Sequence, residues 1–312
     1  MNTEQKVDLT VNFSGLKLKN PVFTASGTCG YADELADFMD ISLLGAFLTK
    51  SITLQKRDGN TVPRIVETDS GMLNAIGLAN IGVDRFIAEK VPLIKQYNTP
   101  FFVNVAGQTI EEYTSVAQKL AGCSEIAGLE LNISCPNVKK GGITFGTDPK
   151  LVSEITSAVK KNAGKKILMV KLTPNVTDIS TIAAAAIEAG ADALSMINTF
   201  TAMVIDIETR QPVLANRTGG LSGPAIKPIA VYLTNKVYNE VAKSANVPIL
   251  AGGGIRNASD AIEFIIAGAA AVSVGTASFV YPDIAIKIID GIKKYCQRHK
   301  IAKISELTGS LK

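Results

Sequence analysis

The chain has 312 residues, with 32 Lys and Arg against 28 Asp and Glu for a formal charge of +4, and it carries one His, four Cys and no Trp. The single histidine, His299, lies in the polar run Gln297-Arg298-His299-Lys300, so neither a Ser-His-Asp triad nor a multi-histidine metal site is available, and no metal is expected. Cys29, Cys123, Cys135 and Cys296 form no Cys-x-x-Cys pair, which argues against a zinc ribbon, an iron–sulfur quartet within this chain, or a disulfide-dense secreted domain.

In chain order, residues 7–18 alternate at period two around Ser14-Gly15, which predicts a hairpin lying over the bottom of the fold. A repeating unit follows: a short β-branched run, a glycine-rich or polar turn, then an amphipathic segment. Strands are predicted over 22–25, 46–50, 101–105, 128–133, 167–172, 193–197, 249–251 and 271–274. Helices are predicted over 33–40, 83–96, 110–121, 149–162, 176–189, 225–245, 258–267 and 282–297. Several strands are continuously apolar, as parallel strands buried on both faces are. Eight such units with right-handed crossovers point to an α/β fold, a (β/α)8 TIM barrel. A doubly wound open sheet is the alternative, and the even alternation favours closure. At about 150 residues per domain the length suggests two domains, yet barrels of roughly 250 residues form one, so residues 1–312 are read as a single domain.

Two connections exceed a simple turn, 51–81 after the second strand and 198–223 after the sixth. Long connections in a compact domain are usually functional, and these follow strand C-termini, where a barrel keeps its active site. The opening residues carry no signal pattern and no run reaches about 18 apolar residues, so a soluble cytoplasmic protein without a membrane partner is expected. No Lys/Arg block accompanies the charge of +4, so nucleic acid is not expected either. Lys293-Lys294 and Arg298-His299-Lys300 read as the solvated end of the last helix.

The last two turns, Gly252-Gly253-Gly254-Ile255 and Gly275-Thr276, let backbone N–H groups approach a phosphate, at the strands where barrels often bind one. Gly223 is placed to close that site from the sixth strand, and Arg256 either adds a contact or is a surface cation. The bland reading, that glycines merely make tight turns, is weakened by two such turns in the expected places. At the end of the fourth strand, Asn132 offers an amide and Cys135 a thiol in the loop Ser134-Cys135-Pro136-Asn137. An arbitrary Cys is most often inert core, but a loop Cys past a strand end, with no His inside the barrel, is the best available general base. Lys50 and Lys171 end apolar strands; either could form a Schiff base, neutralise an anionic substrate or hold charge beside a cofactor ring. Asn74, Asn104, Asn198 and Thr199 complete a set of groups suited to a flat, multiply hydrogen-bonding ring.

Asn20-Pro21, Ala25-Ser26-Gly27, Thr49-Lys50-Ser51, Asn74-Ala75-Ile76-Gly77-Leu78, Asn132-Ile133-Ser134-Cys135-Pro136-Asn137 and the two glycine turns resemble, in order and across essentially the whole chain, the class 1 dihydroorotate dehydrogenases. Asn104-Val105-Ala106-Gly107, and Cys135-Pro136-Asn137-Val138 with Gly141-Gly142 and Phe145-Gly146, resemble the B type, the catalytic subunit of an NAD-linked enzyme. The resemblance implies FMN bound by Ser26, Lys50, Ser51, Asn104, Asn132, Lys171, Ile197, Gly223, Gly253, Gly254, Gly275 and Thr276. It implies dihydroorotate held by Lys50, Asn74, Ala75, Ile76, Gly77, Leu78, Asn132, Asn198 and Thr199, with Cys135 taking the C5 proton as C6 gives hydride to the flavin. It further implies a homodimeric core with two electron-transfer subunits, a heterotetramer in which FAD and a [2Fe–2S] cluster sit on the partner and NAD+ is the acceptor. Cys29 has no assignment in this scheme.

Three rivals make different expectations, one of them a non-catalytic or flavin-free phosphate-binding barrel, which would not turn yellow even with added FMN. An A-type homodimer would reduce fumarate without a partner. An FMN barrel reducing uridine in RNA also places Cys-Pro after a strand, but wants a basic tract that this chain lacks.

Overall fold

A computed structural model of the chain describes residues 6–134 and 145–312; the expectations placed on Cys135 and on Gly141-Gly142 lie outside the described residues. Strands β1 (Val11–Phe13) and β2 (Leu16–Leu18) form the predicted hairpin. Ser14 and Gly15 have φ of 52° and 85°, the two positive values that a tight two-residue hairpin turn requires. The hairpin buries Phe13 against Phe23 and Phe102, with ring centroids 5.5 and 6.2 Å away. Ser14 Oγ donates to the carbonyl of Asp192 at 2.6 Å, just ahead of a barrel strand, which seats the hairpin over the N-terminal end of the barrel.

Strands β3 (Val22–Thr24) and β4 (Phe47–Leu48) are followed by a hairpin of β5 (Ile65–Thr68) and β6 (Gly71–Asn74). Then come β7 (Phe101–Val105), β8 (Ile126–Asn132), β9 (Ile167–Lys171) and β10 (Ala193–Met196). Short strands β11 (Phe200–Ala202), β12 (Ile205–Asp206), β13 (Gln211–Pro212) and β14 (Gly219–Ser222) precede β15 (Ile249–Gly252) and β16 (Ala271–Val274). Eight of these lie side by side in the order β3-β16-β15-β10-β9-β8-β7-β4, each pair parallel. A parallel bridge between Phe23 and Ala46 joins the two ends, so the fold is a (β/α)8 barrel and not an open sheet.

The closing seam is short of backbone pairing, and a side chain completes it. Thr24 Oγ1 donates to the Leu48 carbonyl at 3.1 Å and accepts from the Leu48 N–H at 2.8 Å. Both partners are buried, where an unpaired peptide group is costly. Strand β4 spans two residues where the sequence predicts five: Thr49 N–H still reaches Phe102 O on β7, and at Lys50 the chain turns away, its N–H bonding Gly30 O instead.

Helices Ile110–Ala121, Pro149–Asn162 and Ala258–Ala267 begin where their caps dictate, with Thr109, Asp148 and Asn257 accepting from backbone N–H groups of the first turn. Other bounds differ from expectation: the segment predicted over 225–245 is α-helical from Lys227 and widens into a π-turn at Tyr238–Ala242, that over 282–297 runs Ile284–Arg298, and three more have a local cause. The first helix is a single turn, Asp33–Ala36, because Asp40 instead caps the next turn by accepting from Ser42 N. The segment predicted over 83–96 widens into a π-turn at Phe86–Lys90 just before Pro92, whose ring lacks the N–H that an unbroken helix needs. The segment predicted from 176 starts at Ile179, where Asp178 supplies the cap.

The larger correction concerns the two long connections, read from sequence as loops. They pair with one another in a four-stranded antiparallel sheet, order β11-β14-β6-β5, across the C-terminal face. Leu73, Ala75 and Leu214 give this sheet its own small buried cluster. Among the described residues no helix is long and apolar enough to cross a membrane.

Candidate active site

Strand alternation brings one polar layer to the barrel interior near its C-terminal end. Glu130 and Asn132 are two apart on β8 and share a face, while Asn104 pairs with Glu130, Lys171 with Asn132, and Ser195 with Lys171 across the neighbouring strands. Ser51 Oγ donates to Asn104 Oδ1 at 2.5 Å, and Asn104 Nδ2 donates to Glu130 Oε2. Ser195 Oγ donates to Glu130 Oε1 at 2.5 Å. The Lys171 ammonium sits 3.7 Å from Glu130 Oε2 and donates to Ser26 Oγ at 2.7 Å. Glu130 is fully buried, and its oxygens face the Asn104 amide, the Ser195 hydroxyl and the Lys171 ammonium, the partners a buried carboxylate needs.

Two residues past Glu130, Asn132 connects the layer to the lid sheet. Its carbonyl accepts from Tyr113 Oη at 2.6 Å, and its Oδ1 from Ser134 N at 3.3 Å and Asn198 Nδ2 at 3.4 Å. Asn198 Oδ1 in turn accepts from Thr199 N at 2.8 Å. Thr199 packs so closely on Gly220 that a side chain there would meet its hydroxyl, and Asn74 Nδ2 donates to the Gly220 carbonyl at 3.3 Å. Asn74 leads into Ala75, Ile76, Gly77 and Leu78, a segment fastened by Asn60, which donates through Nδ2 to Ala75 O at 2.9 Å and through its backbone N to Ile76 O at 3.1 Å. Buried Asn80 finishes the segment, donating to Leu78 O at 2.7 Å and to Thr53 Oγ1 at 2.8 Å.

The glycine turns converge beside this layer. A Cβ on Gly254, whose φ is +86°, would stand 2.7 Å from the Gly223 carbonyl oxygen. Ile197 follows β10 and donates its N–H to Gly252 O at 3.2 Å, next to Gly253. Thr276 Oγ1 donates to Ser222 Oγ at 2.9 Å, and a Cβ on Gly275 would lie 3.2 Å from that of Ala25. Among the described residues the N–H groups of Gly253, Gly254, Gly275 and Thr276 are committed to no backbone or side-chain acceptor. Arg256 is exposed.

Ser26, Ser51, Asn104, Asn132 and Lys171 therefore come together in the polar layer, and Ile197, Gly223, Gly253, Gly254, Gly275 and Thr276 in the glycine cradle. Asn74–Leu78, Asn198 and Thr199 form an adjoining wall. Lys50 stands at the same barrel end, half-buried, with its backbone N–H tied to Gly30 O at 2.8 Å. Among the described residues its ammonium makes no hydrogen bond or ion pair. Sequence reasoning missed Glu130, Ser195, Tyr113 and Asn80; a lone Glu in an apolar strand, two residues before Asn132, was the available signal for the first. Cys29, Cys123 and Cys296 are buried free thiols, and burial pushes all three up from the ordinary thiol range. Cys29 is thus a core residue.

The donor set fits FMN. Free N–H groups in a cradle too tight for a Cβ match a phosphate, and an amide, hydroxyl and ammonium layer matches the edge of a flavin ring.

A sequence model of the family described as dihydroorotate dehydrogenase matches residues 8–296 of the chain. A protein of Pelobacter propionicus named dihydroorotate dehydrogenase B (NAD+), catalytic subunit, is 54% identical over 306 residues, covering 98% of this chain and 99% of the relative. Proteins of the same name from Alkaliphilus metalliredigens and Bacteroides thetaiotaomicron are 53% and 50% identical, over 98% and 97% of this chain and 99% of each relative.

Proposed function

The chain belongs to the dihydroorotate dehydrogenase family, and on that premise we propose that it oxidises dihydroorotate to orotate, a step of pyrimidine synthesis, as the catalytic subunit of an NAD+-linked enzyme. The observation that carries this reading is the junction of the Lys171–Glu130–Asn104 layer with the glycine cradle at one barrel mouth.

FMN would be held by the free N–H groups of Gly253, Gly254, Gly275 and Thr276 at its phosphate, and by Ser26, Lys50, Ser51, Asn104, Asn132 and Lys171 around its ring. When bound, it supplies the two-electron acceptor for the hydride that leaves C6 of dihydroorotate. Lys50 neutralises the substrate carboxylate, while Asn74, Asn132, Asn198, Thr199 and the backbone of Ala75–Leu78 hold its ring carbonyl and N–H groups. Such fixed donors lower the barrier by orienting the ring and stabilising charge that develops on its carbonyls. Cys135 takes the proton from C5, which leaves the C5–C6 double bond of orotate. Its position in sequence, three residues past Asn132 in a chain whose single histidine is His299, supports that role.

The relatives' name, catalytic subunit, supports a partner that carries electrons onward. We place FAD and a [2Fe–2S] cluster on that partner, in a cytoplasmic heterotetramer built on a homodimer of this chain. The test is dihydroorotate oxidation by the isolated, FMN-loaded chain with NAD+ or with fumarate. The expected result is flavin bleaching by dihydroorotate with turnover on neither acceptor until a partner is added. Direct fumarate reduction would replace this assignment with the partner-free type, and a chain that takes up no FMN would refute the reading altogether.

A further inference from the structure

Resting on that reading, we infer that Glu130 is a positioning residue that sets the reduction potential of the flavin, by counterbalancing Lys171 and by fixing the polarity of the hydrogen bonds around it. Its role follows from what a carboxylate can and cannot do. An ionised carboxylate only accepts, so Asn104 must turn Nδ2 toward Glu130 and Oδ1 away. Oδ1 then takes the proton of Ser51, which leaves the Ser51 oxygen to face the site as an acceptor. On the other side Lys171 has no lone pair, so Ser26 accepts from it and keeps its own proton free to donate. The buried anion thus assigns the polarity of the Ser51 hydroxyl, which does not touch it, and its partner cation assigns that of Ser26.

The same anion offsets the nearest cation. Lys171 and Glu130 are 3.7 Å apart, the carboxylate fully buried and the lysine side chain mostly so. At that depth an opposite charge is weakly screened and its removal is felt at full strength by whatever the ammonium approaches. Reduction adds negative charge to the flavin. With Glu130 neutralised, Lys171 stabilises that charge without opposition, and the potential must move positive. An apolar filler would have been the cheaper way to pack this position, since burying a carboxylate is costly even when paired.

The experiment is spectroelectrochemical titration of FMN bound to the wild-type chain and to Glu130→Gln, which keeps the volume and removes the charge. Glu130→Gln is expected to retain FMN and to favour the reduced flavin by at least tenfold, a shift of about 30 mV positive for a two-electron couple. Ser195→Ala, which takes one hydrogen bond from Glu130 but leaves its charge, is expected to shift the same ratio by less than about threefold, about 15 mV. An unchanged potential in Glu130→Gln, or an equal shift in Ser195→Ala, overturns the inference. If Glu130→Gln does not fold, Lys171→Gln, which leaves the anion unopposed, is expected to shift the potential negative, and Glu130→Gln/Lys171→Gln, which removes both charges, is expected to fold and to shift it less. A double variant that shifts as far as Lys171→Gln, or that does not fold, overturns the inference equally. A wild-type chain that binds no FMN refutes the functional reading instead, so the two failures are distinguishable.

Discussion

Gly254 and Gly223 meet backbone to backbone: a Cβ on Gly254 would stand 2.7 Å from the Gly223 carbonyl oxygen and 2.9 Å from Cβ of Lys227. The two residues belong to connections after different barrel strands, and their contact leaves no room for a side chain between β14 and the turn after β15. Gly254 also has φ of +86°, a conformation that strains any other residue. Gly254→Ala is therefore expected to push the cradle apart and weaken FMN binding at least tenfold, about 1.4 kcal/mol, with little loss of barrel structure. Fluorescence titration with FMN, alongside far-ultraviolet circular dichroism, checks it; wild-type affinity would separate the cradle from the phosphate.

Cys135→Ala is expected to keep FMN and to slow flavin reduction by dihydroorotate about 10²–10⁴-fold, the usual worth of a general base. Stopped-flow bleaching of the flavin, in which the cofactor itself reports, measures this directly. Bleaching at the wild-type rate near neutral pH would remove Cys135 from the mechanism.

Lys171→Met should leave Glu130 without its cation and Ser26 without its donor. We expect flavin affinity or the rate of its reduction to fall about tenfold or more, since the removed charge-assisted contacts are each worth about 1.5–3 kcal/mol. A variant with wild-type values for both would show that Lys171 serves the fold alone.

Thr24→Val tests the barrel seam. The substitution keeps the shape of the side chain but orphans the buried N–H and carbonyl of Leu48. A loss of about 1–3 kcal/mol in urea unfolding is expected, with FMN affinity much less affected. A loss under about 0.5 kcal/mol would mean that the seam is held by packing and not by this hydroxyl.

Much of the architecture is legible locally. Helices Ile110–Ala121, Pro149–Asn162 and Ala258–Ala267 match their predicted bounds, because an Asp, Asn or Thr cap and a glycine or alanine exit are written into adjacent residues. The polar layer is half legible: Asn104, Asn132 and Lys171 stand out as polar residues ending apolar strands. Glu130 is concealed by the same rule, since a carboxylate inside a strand makes sense only once its donors on β7, β9 and β10 are known. The lid sheet is not legible at all. Met72 pairs with Ser222 and Asn74 with Gly220, partners about 150 residues distant, and neither short segment carries a period long enough to announce a strand.

That sheet has a consequence for how such a protein changes over time. β6 ends in Asn74, on the wall beside the ring-binding residues, and β14 ends one residue before Gly223, on the cradle. A transplant of either connection into a related barrel would bring one strand without its complement, and would disturb the Asn74 wall and the glycine cradle together. The two connections are expected to be exchangeable only as a pair, a single inherited cassette split across the chain.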